Sequence, residues 1–413
     1  MTTMKNPSKI AYLAPEIPAL SATFVYNEII RLEDSGYRVV PLSVHQPYSP
    51  AEGDALEDLG SRTEYLYRAP KSKVLLDNLG MLFRRPIRYF WTLATALADA
   101  GQMGLLNRVG LGLLYRFFIA ARVARILLRE DCQHLHVHFA HVPTDIAMYA
   151  ARMTAVPFSF TAHANDIFER GWLLDKKVKR ARFAVTISEY NRQLIKKSGG
   201  AEHKIHIVRC GVSHTAFAAR NGRAENSIPK IGTLGRMVEK KGIDDLIRAC
   251  KILRDQDMAF RVEIAGDGPL LTELQQLVDD GDLLAQVHFK GPLSHEQVPQ
   301  WLQTLDVFVL ACKKDRNGDM DGIPVVLMEA MLAGVPVIST RISGIPELIE
   351  DGHSGLLAEP ASPDHLADAI SRLLSDEILY GDLRKNAIAR VQTEFELSNN
   401  VARLTKLFKE VIR

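Results

Sequence analysis

Two carboxylates, Asp321 and Glu329, stand eight positions apart in the segment 318–349, GDMDGIPVVLMEAMLAGVPVISTRISGIPELI. A helix expected to start near Gly322 would carry Glu329 two turns in. A carboxylate there can accept both hydroxyls of a ribose, while the free N–H groups at the helix start meet phosphate. The strand that follows, Pro336–Thr340, leads to Ser343 and Gly344 and to a second helix start at Pro346. Upstream, residues 231–242 read IGTLGRMVEKKG, a strand ending at a glycine-bearing turn with Arg236 and Lys241 where the next helix begins. Glycine lets backbone approach a ligand closely, and two cations beside a helix N-terminus suit a diphosphate. Neither GxGxxG nor GxxxxGK(S/T) occurs, so neither a dinucleotide fingerprint nor a P-loop is supported. Alone, the 231–242 turn would read as solvated surface; beside the Asp321–Glu329 segment it points to a nucleotide diphosphate.

Other residues invite chemistry less specifically. Asp319-Met320-Asp321 matches a DxD pattern that holds a metal and a sugar diphosphate in a different, one-domain fold, and Asp255-Gln256-Asp257 repeats it in a helical context. Such short matches arise readily by chance, so no metal is expected. His134, His136 and His138 alternate along one strand, with His141 just beyond. Imidazoles at that spacing could ligate a metal, but only Cys132 and Asp145 lie near as further ligands, so packing or acceptor contact is the better reading. His163 and Asp166 follow another strand, at the end where parallel sheets place ligands.

The elements that must position these residues alternate strand and helix along 413 residues, 47% of them hydrophobic and 24% charged. Strands are expected at Lys9–Ala14, Tyr37–Val44, His134–Ala140, Phe158–Ala162, Phe183–Ser188 and Lys204–Cys210. A second series runs Lys230–Leu234, Phe260–Ala265, Val287–Lys290, Val307–Ala311, Pro336–Thr340 and Gly355–Leu357. Between them lie helical patterns such as Ser21–Ser35, where Phe24, Val25, Ile29 and Leu32 share a face and Ser21 is a candidate N-cap. The pattern predicts an α/β protein of two doubly wound, Rossmann-like domains with ligands bound in a cleft between them. The first domain is assigned to 1–217, a polar linker to 218–229, the second domain to 230–395, and a C-terminal helix to 396–413.

Charge narrows the partners. Lys plus Arg number 51 against 49 Asp plus Glu, a net of +2, which argues against a dedicated nucleic-acid binder. The four cysteines form no CxxC pair, so reduced, mostly buried thiols are expected. No secretory signal and no uncharged apolar run long enough to span a bilayer is visible, so a cytoplasmic protein is expected. The stretch 71–130 breaks the rhythm: ten Lys and Arg, three acids, and interleaved Leu82, Phe83, Tyr89, Phe90, Trp91, Leu113, Leu114, Phe117 and Phe118. It reads equally as core helices with a solvated basic face or as a surface for anionic membrane at the inner face of the cytoplasmic membrane.

The segments GRMVEKKG, AGDGPL, DGIPVVLMEAMLAGVPVI and SGIPELIEDGHSGLL, in this order, resemble the retaining glycosyltransferases of family 4, whose architecture is called GT-B. In the first half, TAHAND at Thr161–Asp166 and PEIPALSATFVYNEI are similar to the branch that assembles exopolysaccharides of the colanic-acid type. The resemblance implies a transfer of a sugar, with retention, from a nucleotide-diphosphate donor to a glycan or lipid-linked oligosaccharide, without cofactor or metal. It implies that Arg236, Lys241 and Gly235 meet the diphosphate, that Glu329 holds the ribose, and that Asp321, with Gly322 and Ile323, faces the donor sugar. Gly344, Gly266 and Asp267 would border the nucleotide. His163 would orient a sugar hydroxyl with Asp166 beside it, and the loop bearing Pro18, Ser21 and Thr23 would border the acceptor. Many members carry Glu where this chain has Asp321, and the shorter side chain alters that contact. A nucleotide-sugar epimerase of the same plan, or a silent nucleotide-sugar-binding scaffold, are the competing functions.

Overall fold

The computed structural model describes residues 7–19, 22–47, 54–214, 217, 219–220, 222–223 and 227–412. The chain forms two compact units. One contains the chain up to Ile187, Asn191–Val208 and Val401–Arg413; the other contains Ser188–Tyr190 and Arg209–Asn400.

The first unit is built on a seven-stranded sheet of β1 (Lys9–Glu16), β2 (Arg38–His45), β3 (Glu64–Tyr65), β4 (His134–His138), β5 (Phe158–Ala162), β6 (Ala184–Thr186) and β7 (Ile205–Ile207), in the order β3-β2-β1-β4-β5-β6-β7. Every strand pair is parallel, with Ile10 of β1 opposite Val39 on one side and His134 on the other. All residues of β4 and β5 are buried, as expected of strands covered by helices on both faces. The core gathers Leu13, Leu135, Val137, Phe160, Phe117 and Tyr149.

The second unit carries a six-stranded parallel sheet of β8 (Lys230–Leu234), β9 (Arg261–Ala265), β10 (Val287–Gly291), β11 (Val307–Val309), β12 (Val337–Thr340) and β13 (Leu356–Ala358), ordered β10-β9-β8-β11-β12-β13. Its two faces feed separate apolar clusters: Val307 and Val309 enter one, Phe308 the other, as the two-residue strand period requires. In each sheet the strand order reverses once, between β1 and β4 and between β8 and β11. Ligands of such sheets bind at that reversal, beyond the carboxyl ends of the strands.

Several sequence expectations differ from the structure. The polar stretch 218–229 is not where the chain passes between units; that passage follows Val208. Arg220 instead donates to the carbonyl of Gln303 and to the Tyr380 hydroxyl, both at 2.8 Å, and Arg223 pairs with Asp306 at 3.3 Å. Polar composition there marks solvent exposure, while side chains strap the segment to the second unit. The C-terminal helix is Leu397–Val411. Its Phe408 packs against Phe183, His134 and Tyr37, so its end belongs to the first unit. Ser21 and its capping role lie outside the described residues; the helix itself is Thr23–Asp34.

Region 71–130 folds into helices Lys71–Arg84, Pro86–Gln102 and Arg108–Arg129. Their inner faces bury Met81, Tyr89, Leu113 and Phe117 against the first sheet's core. No helix of the described residues is long and apolar enough to cross a membrane.

Candidate active site

In the second unit, the loops after β8, β9 and β11 press together through glycine. Gly266 has φ +119°, and a Cβ there would lie 2.1 Å from the Gly235 carbonyl oxygen. At Gly242, with φ +62°, a Cβ would meet the Ala311 carbonyl oxygen at 1.8 Å. Any side chain at these two positions would force the loops apart. The Met237 amide donates to the Asp267 carbonyl at 2.8 Å, fixing the turn that carries Arg236. Asp267 is exposed, and its carboxylate accepts from the neighbouring Gly268 amide at 2.7 Å.

Arg236 is exposed, and its guanidinium has no acceptor among the described residues. Lys241, by contrast, pairs with Asp321 at 2.6 Å. Lys240 adds a second ammonium, 3.6 Å from Asp321 and 2.7 Å from Asp319, and the Cys312 thiol donates to Asp321 at 3.4 Å. Burial works against the charge of Asp321, but Lys241 and Lys240 hold its carboxyl below the usual carboxylate range. Burial likewise opposes the Lys241 charge, and Asp321 more than offsets it, so that ammonium titrates above its ordinary value. Both acids of the DxD pattern are thus already matched by lysines. Sequence reasoning singled out Lys241 but missed Lys240, its neighbour.

The helix carrying Glu329 is Val325–Leu332, starting three residues later than expected. Pro324 disfavours the helical region for the residue before it, which delays the start. Glu329 is 8% exposed, and its carboxylate has no hydrogen-bond partner among the described residues. Burial alone pushes its carboxyl up to about 7. Gly322 and Ile323 are buried just ahead of the helix. Ile323 packs on Gly344, where a Cβ would lie 2.8 Å from its Cγ1. The second expected helix start yields only the four-residue turn Ile345–Leu348, so its dipole is far smaller than that of a full helix.

In the first unit, β4 and β5 end at a cluster of imidazoles. His138 Nδ1 lies 2.9 Å from His163 Nε2, and His138 Nε2 lies 3.2 Å from Glu28 Oε1. Tyr12 on β1 bonds the same Glu28 oxygen and sits 3.0 Å from His138 Nε2. This pattern is satisfied when each ring donates through Nε2, His138 to Glu28 and His163 to its partner ring. Burial holds His163 well below the ordinary imidazole range, so it stays neutral. Phe24, in the first turn of helix Thr23–Asp34, covers His163 with ring centroids 4.6 Å apart. That contact brings Thr23 to the edge of the cluster, while Pro18 is buried and packs on the Gly60 turn.

Asp166 turns its carboxylate to the backbone. It is fully buried, and its oxygens accept from the amides of Ala140 at 2.7 Å, His163 at 3.0 Å and Ala164 at 2.8 Å. It is a positioning residue that shapes the loop around His163. His134 and His136 are also internal: His136 is bonded to Ser159 at 2.8 Å and Thr161 at 3.0 Å, and His134 to Ser159 at 2.7 Å. Donor atoms of Glu28, His136 and His138 lie within 4.8 Å of one another, a spacing a metal could accept. The His136 nitrogens, however, are both committed to hydroxyls.

Comparison with known proteins decides the family. Residues 217–390 match the family model of glycosyl transferases group 1, and residues 102–216 match that of glycosyltransferase family 4. The chain is 30% identical over 409 residues to the amylovoran biosynthesis glycosyltransferase AmsK of Erwinia amylovora, covering 94% of this chain and 96% of that one. It is also 30% identical over 405 residues to WcaL of Escherichia coli K12, assigned to colanic acid biosynthesis, again covering 94% and 96%. This chain belongs to glycosyltransferase family 4. The family 4 fold is matched in HepE of Anabaena, solved in complex with UDP, with a TM-score of 0.70 at 16% identity over 97% of this chain and 100% of that one. The two parallel-sheet units are therefore the GT-B architecture.

Within this family 4 glycosyltransferase, Glu28 and Tyr12 are the residues that sequence reasoning passed over. The signal for Glu28 was present: it sits four positions after Phe24 and one before Ile29, a carboxylate on the apolar face of its helix. A part-buried acid at such a place needs a partner, and His138 and Tyr12 supply it.

Proposed function

We propose that the protein transfers a sugar with retention, and without a metal, from a nucleotide-diphosphate donor to a lipid-linked glycan during exopolysaccharide assembly. The observation that carries this reading is Glu329, a buried carboxylate with no partner among the described residues, at the same strand ends as Arg236, whose guanidinium is likewise unpaired among them. A ribose presenting two hydroxyls is the kind of group such a carboxylate lacks. Arg236 and Lys241 receive the diphosphate, Lys241 leaving Asp321 as phosphate oxygens replace it, and the amides before Leu327 add their dipole. Asp321, released from Lys241, accepts from a hydroxyl of the donor sugar. Gly235, Gly266, Asp267 and Gly344 line the loops that admit the nucleotide, and His163 orients a hydroxyl of the transferred sugar. Pro18 and Thr23 border the acceptor.

The reaction breaks the bond between C1 of the sugar and the phosphate oxygen and forms one between C1 and an acceptor oxygen on the same face. The acceptor proton passes to the departing phosphate. Fixed cations at that phosphate stabilise charge that grows in the transition state. The relatives AmsK and WcaL, named for exopolysaccharide synthesis, support the acceptor class and favour transfer over epimerisation or a silent scaffold. HepE, crystallised with UDP-glucose, makes UDP-sugars the first donors to try.

The test is a panel of UDP-, GDP- and ADP-sugars, scored for binding, slow hydrolysis and transfer to membrane extracts in the presence of EDTA. Glu329→Gln and Arg236→Ala are expected to weaken donor binding or turnover about 100-fold. Wild-type behaviour of both variants would refute the site. Loss of transfer in EDTA, restored by a divalent ion, would refute metal independence. A covalent sugar trapped on Asp321 or Glu329 would refute the single-face reaction.

A further inference from the structure

Thirteen of the sixteen exposed large apolar side chains among the described residues lie between Leu75 and Phe118. Eleven of them fall on the outer faces of the three helices of region 71–130, and Leu105 and Leu106 on the connection before the third. Leu76, Leu79 and Phe83 form one stripe, Ile87, Phe90 and Trp91 its continuation on the next helix, and Leu111, Tyr115 and Phe118 a third. Phe83 is 81% exposed, Ile87 73% and Trp91 63%. A folded protein seldom leaves so many large apolar groups in water without something to cover them.

The charges of this layer have one sign. Asp77 is buried and spent on Arg122 and Arg125, both at 3.3 Å. Asp99 is buried and spent on Lys176 and Arg180, and Glu130 pairs with Arg129 at 2.9 Å. The exposed charges beside the apolar stripes are Lys71, Lys73, Arg84 and Arg88. A cavity of roughly 470 Å3 opens next to this layer, lined by Arg88, Arg152, Arg180, Arg182 and Lys204 and by no acid. It sits at the amino ends of β5, β6 and β7, the opposite end of the sheet from His163. The start of helix Pro86–Gln102 is tied to its rim: Arg85 donates to the Thr154 carbonyl at 2.7 Å and Arg88 to that of Arg152 at 3.4 Å.

We propose that this helical layer lies on an anionic lipid bilayer, with the aromatic and aliphatic stripes in the headgroup region and a lipid phosphate seated in the cationic cavity. Apolar groups give the depth of insertion, and the cavity gives the preference for anionic lipid. A second copy of the chain is a poor occupant, because a two-fold contact would set Lys71, Lys73, Arg84 and Arg88 of both copies against one another. The surface belongs to the first unit and the donor-binding loops to the second, so far-UV circular dichroism serves as the control for folding in every variant.

The experiment measures partition of the full chain into phosphatidylcholine vesicles with and without phosphatidylglycerol, with Trp91 emission as a second readout. Binding is expected only with phosphatidylglycerol, accompanied by a blue shift, and it should fall as salt screens the charges. Arg152→Gln with Arg182→Gln, both exposed, is expected to lower partition about tenfold or more. Ile87→Ser, Phe90→Ser and Trp91→Ser together should lower it at least as far while the circular dichroism spectrum stays unchanged. Absence of vesicle binding would overturn the proposal. So would capture of inorganic phosphate without vesicle binding, or a dimer that the triple substitution dissociates.

Discussion

The two units share a sheet topology, and both gather polar groups at the carboxyl ends of their strands, yet they treat those groups in opposite ways. In the first unit nearly every polar atom near His163 is satisfied by the protein. Asp166 takes three backbone amides, and the fully buried Lys177 pairs with Asp145 at 2.9 Å and donates to the Ala140 carbonyl at 2.6 Å. In the second unit, among the described residues, the Glu329 carboxylate is buried without a partner and the Arg236 guanidinium stands unpaired, while Lys241 and Asp321 hold one another. Satisfied groups hold a shape, and unsatisfied groups hold free energy that a ligand can release. The first cluster is built as a scaffold for one imidazole, the second as a receptor.

The sharpest way to break that contrast compares two aspartates. Asp166→Ala leaves three buried amides without an acceptor and is expected to cost about 3–5 kcal/mol of stability. Asp321→Ala frees Lys241, whose ammonium can turn toward water, and is expected to cost at most about 2 kcal/mol while sugar transfer falls at least tenfold. Urea denaturation monitored alongside UDP binding separates the two. If Asp321→Ala proves as destabilising as Asp166→Ala, the second cluster is a structural one after all.

Glu329 offers a test by pH. Burial raises its carboxyl from the ordinary 4.5 to about 7, so the folded state holds that proton more tightly than the unfolded chain. The resulting stability is present below about 4.5 and is lost as pH rises through 7, a difference of about 3 kcal/mol at full ionisation. Glu329→Gln should therefore melt higher than wild type at pH 8 and match it near pH 4. A ribose binds best to the ionised carboxylate, so affinity of the wild type for its donor nucleotide should rise between pH 6 and 8. The variant should show a flat, weak profile. A wild-type profile just as flat would mean that the ribose does not meet Glu329.

Much of this contrast was written in the sequence, though unevenly. β5 and β8 fall on the residues expected, because long buried strands flanked by turns leave a clear apolar run. β3, only Glu64–Tyr65, is too short to show any period. The donor-side residues were legible because glycine, cations and acids lie close together along the chain. The His163 cluster was only half legible. Its imidazoles come from neighbouring strands, but Tyr12 and Glu28 join them from β1 and from the helix Thr23–Asp34, which no local spacing links to His138. The contacts of Asp166 were not legible, because its partners are backbone amides, which carry no residue signature.

The smallest expected effect comes from Glu28, where the contrast can be sharpened rather than broken. Glu28→Gln keeps the volume and one acceptor oxygen, but its amide can present a donor to His138 Nε2, reversing the sense of the chain that ends at His163. The ring pair would then have to change tautomer together, because the His138–His163 contact of 2.9 Å needs one donor and one acceptor. A purely structural Glu28 would show only a stability loss of about 1 kcal/mol, with transfer unaltered. A positioning Glu28 would lower kcat severalfold with donor KM unchanged, since the ribose and diphosphate contacts belong to the other unit. Restoring wild-type kcat with Glu28→Asp, which returns the charge at a shorter reach, would show that the carboxylate sets the orientation of His163. Equal kcat in all three proteins would leave the imidazole cluster as packing alone.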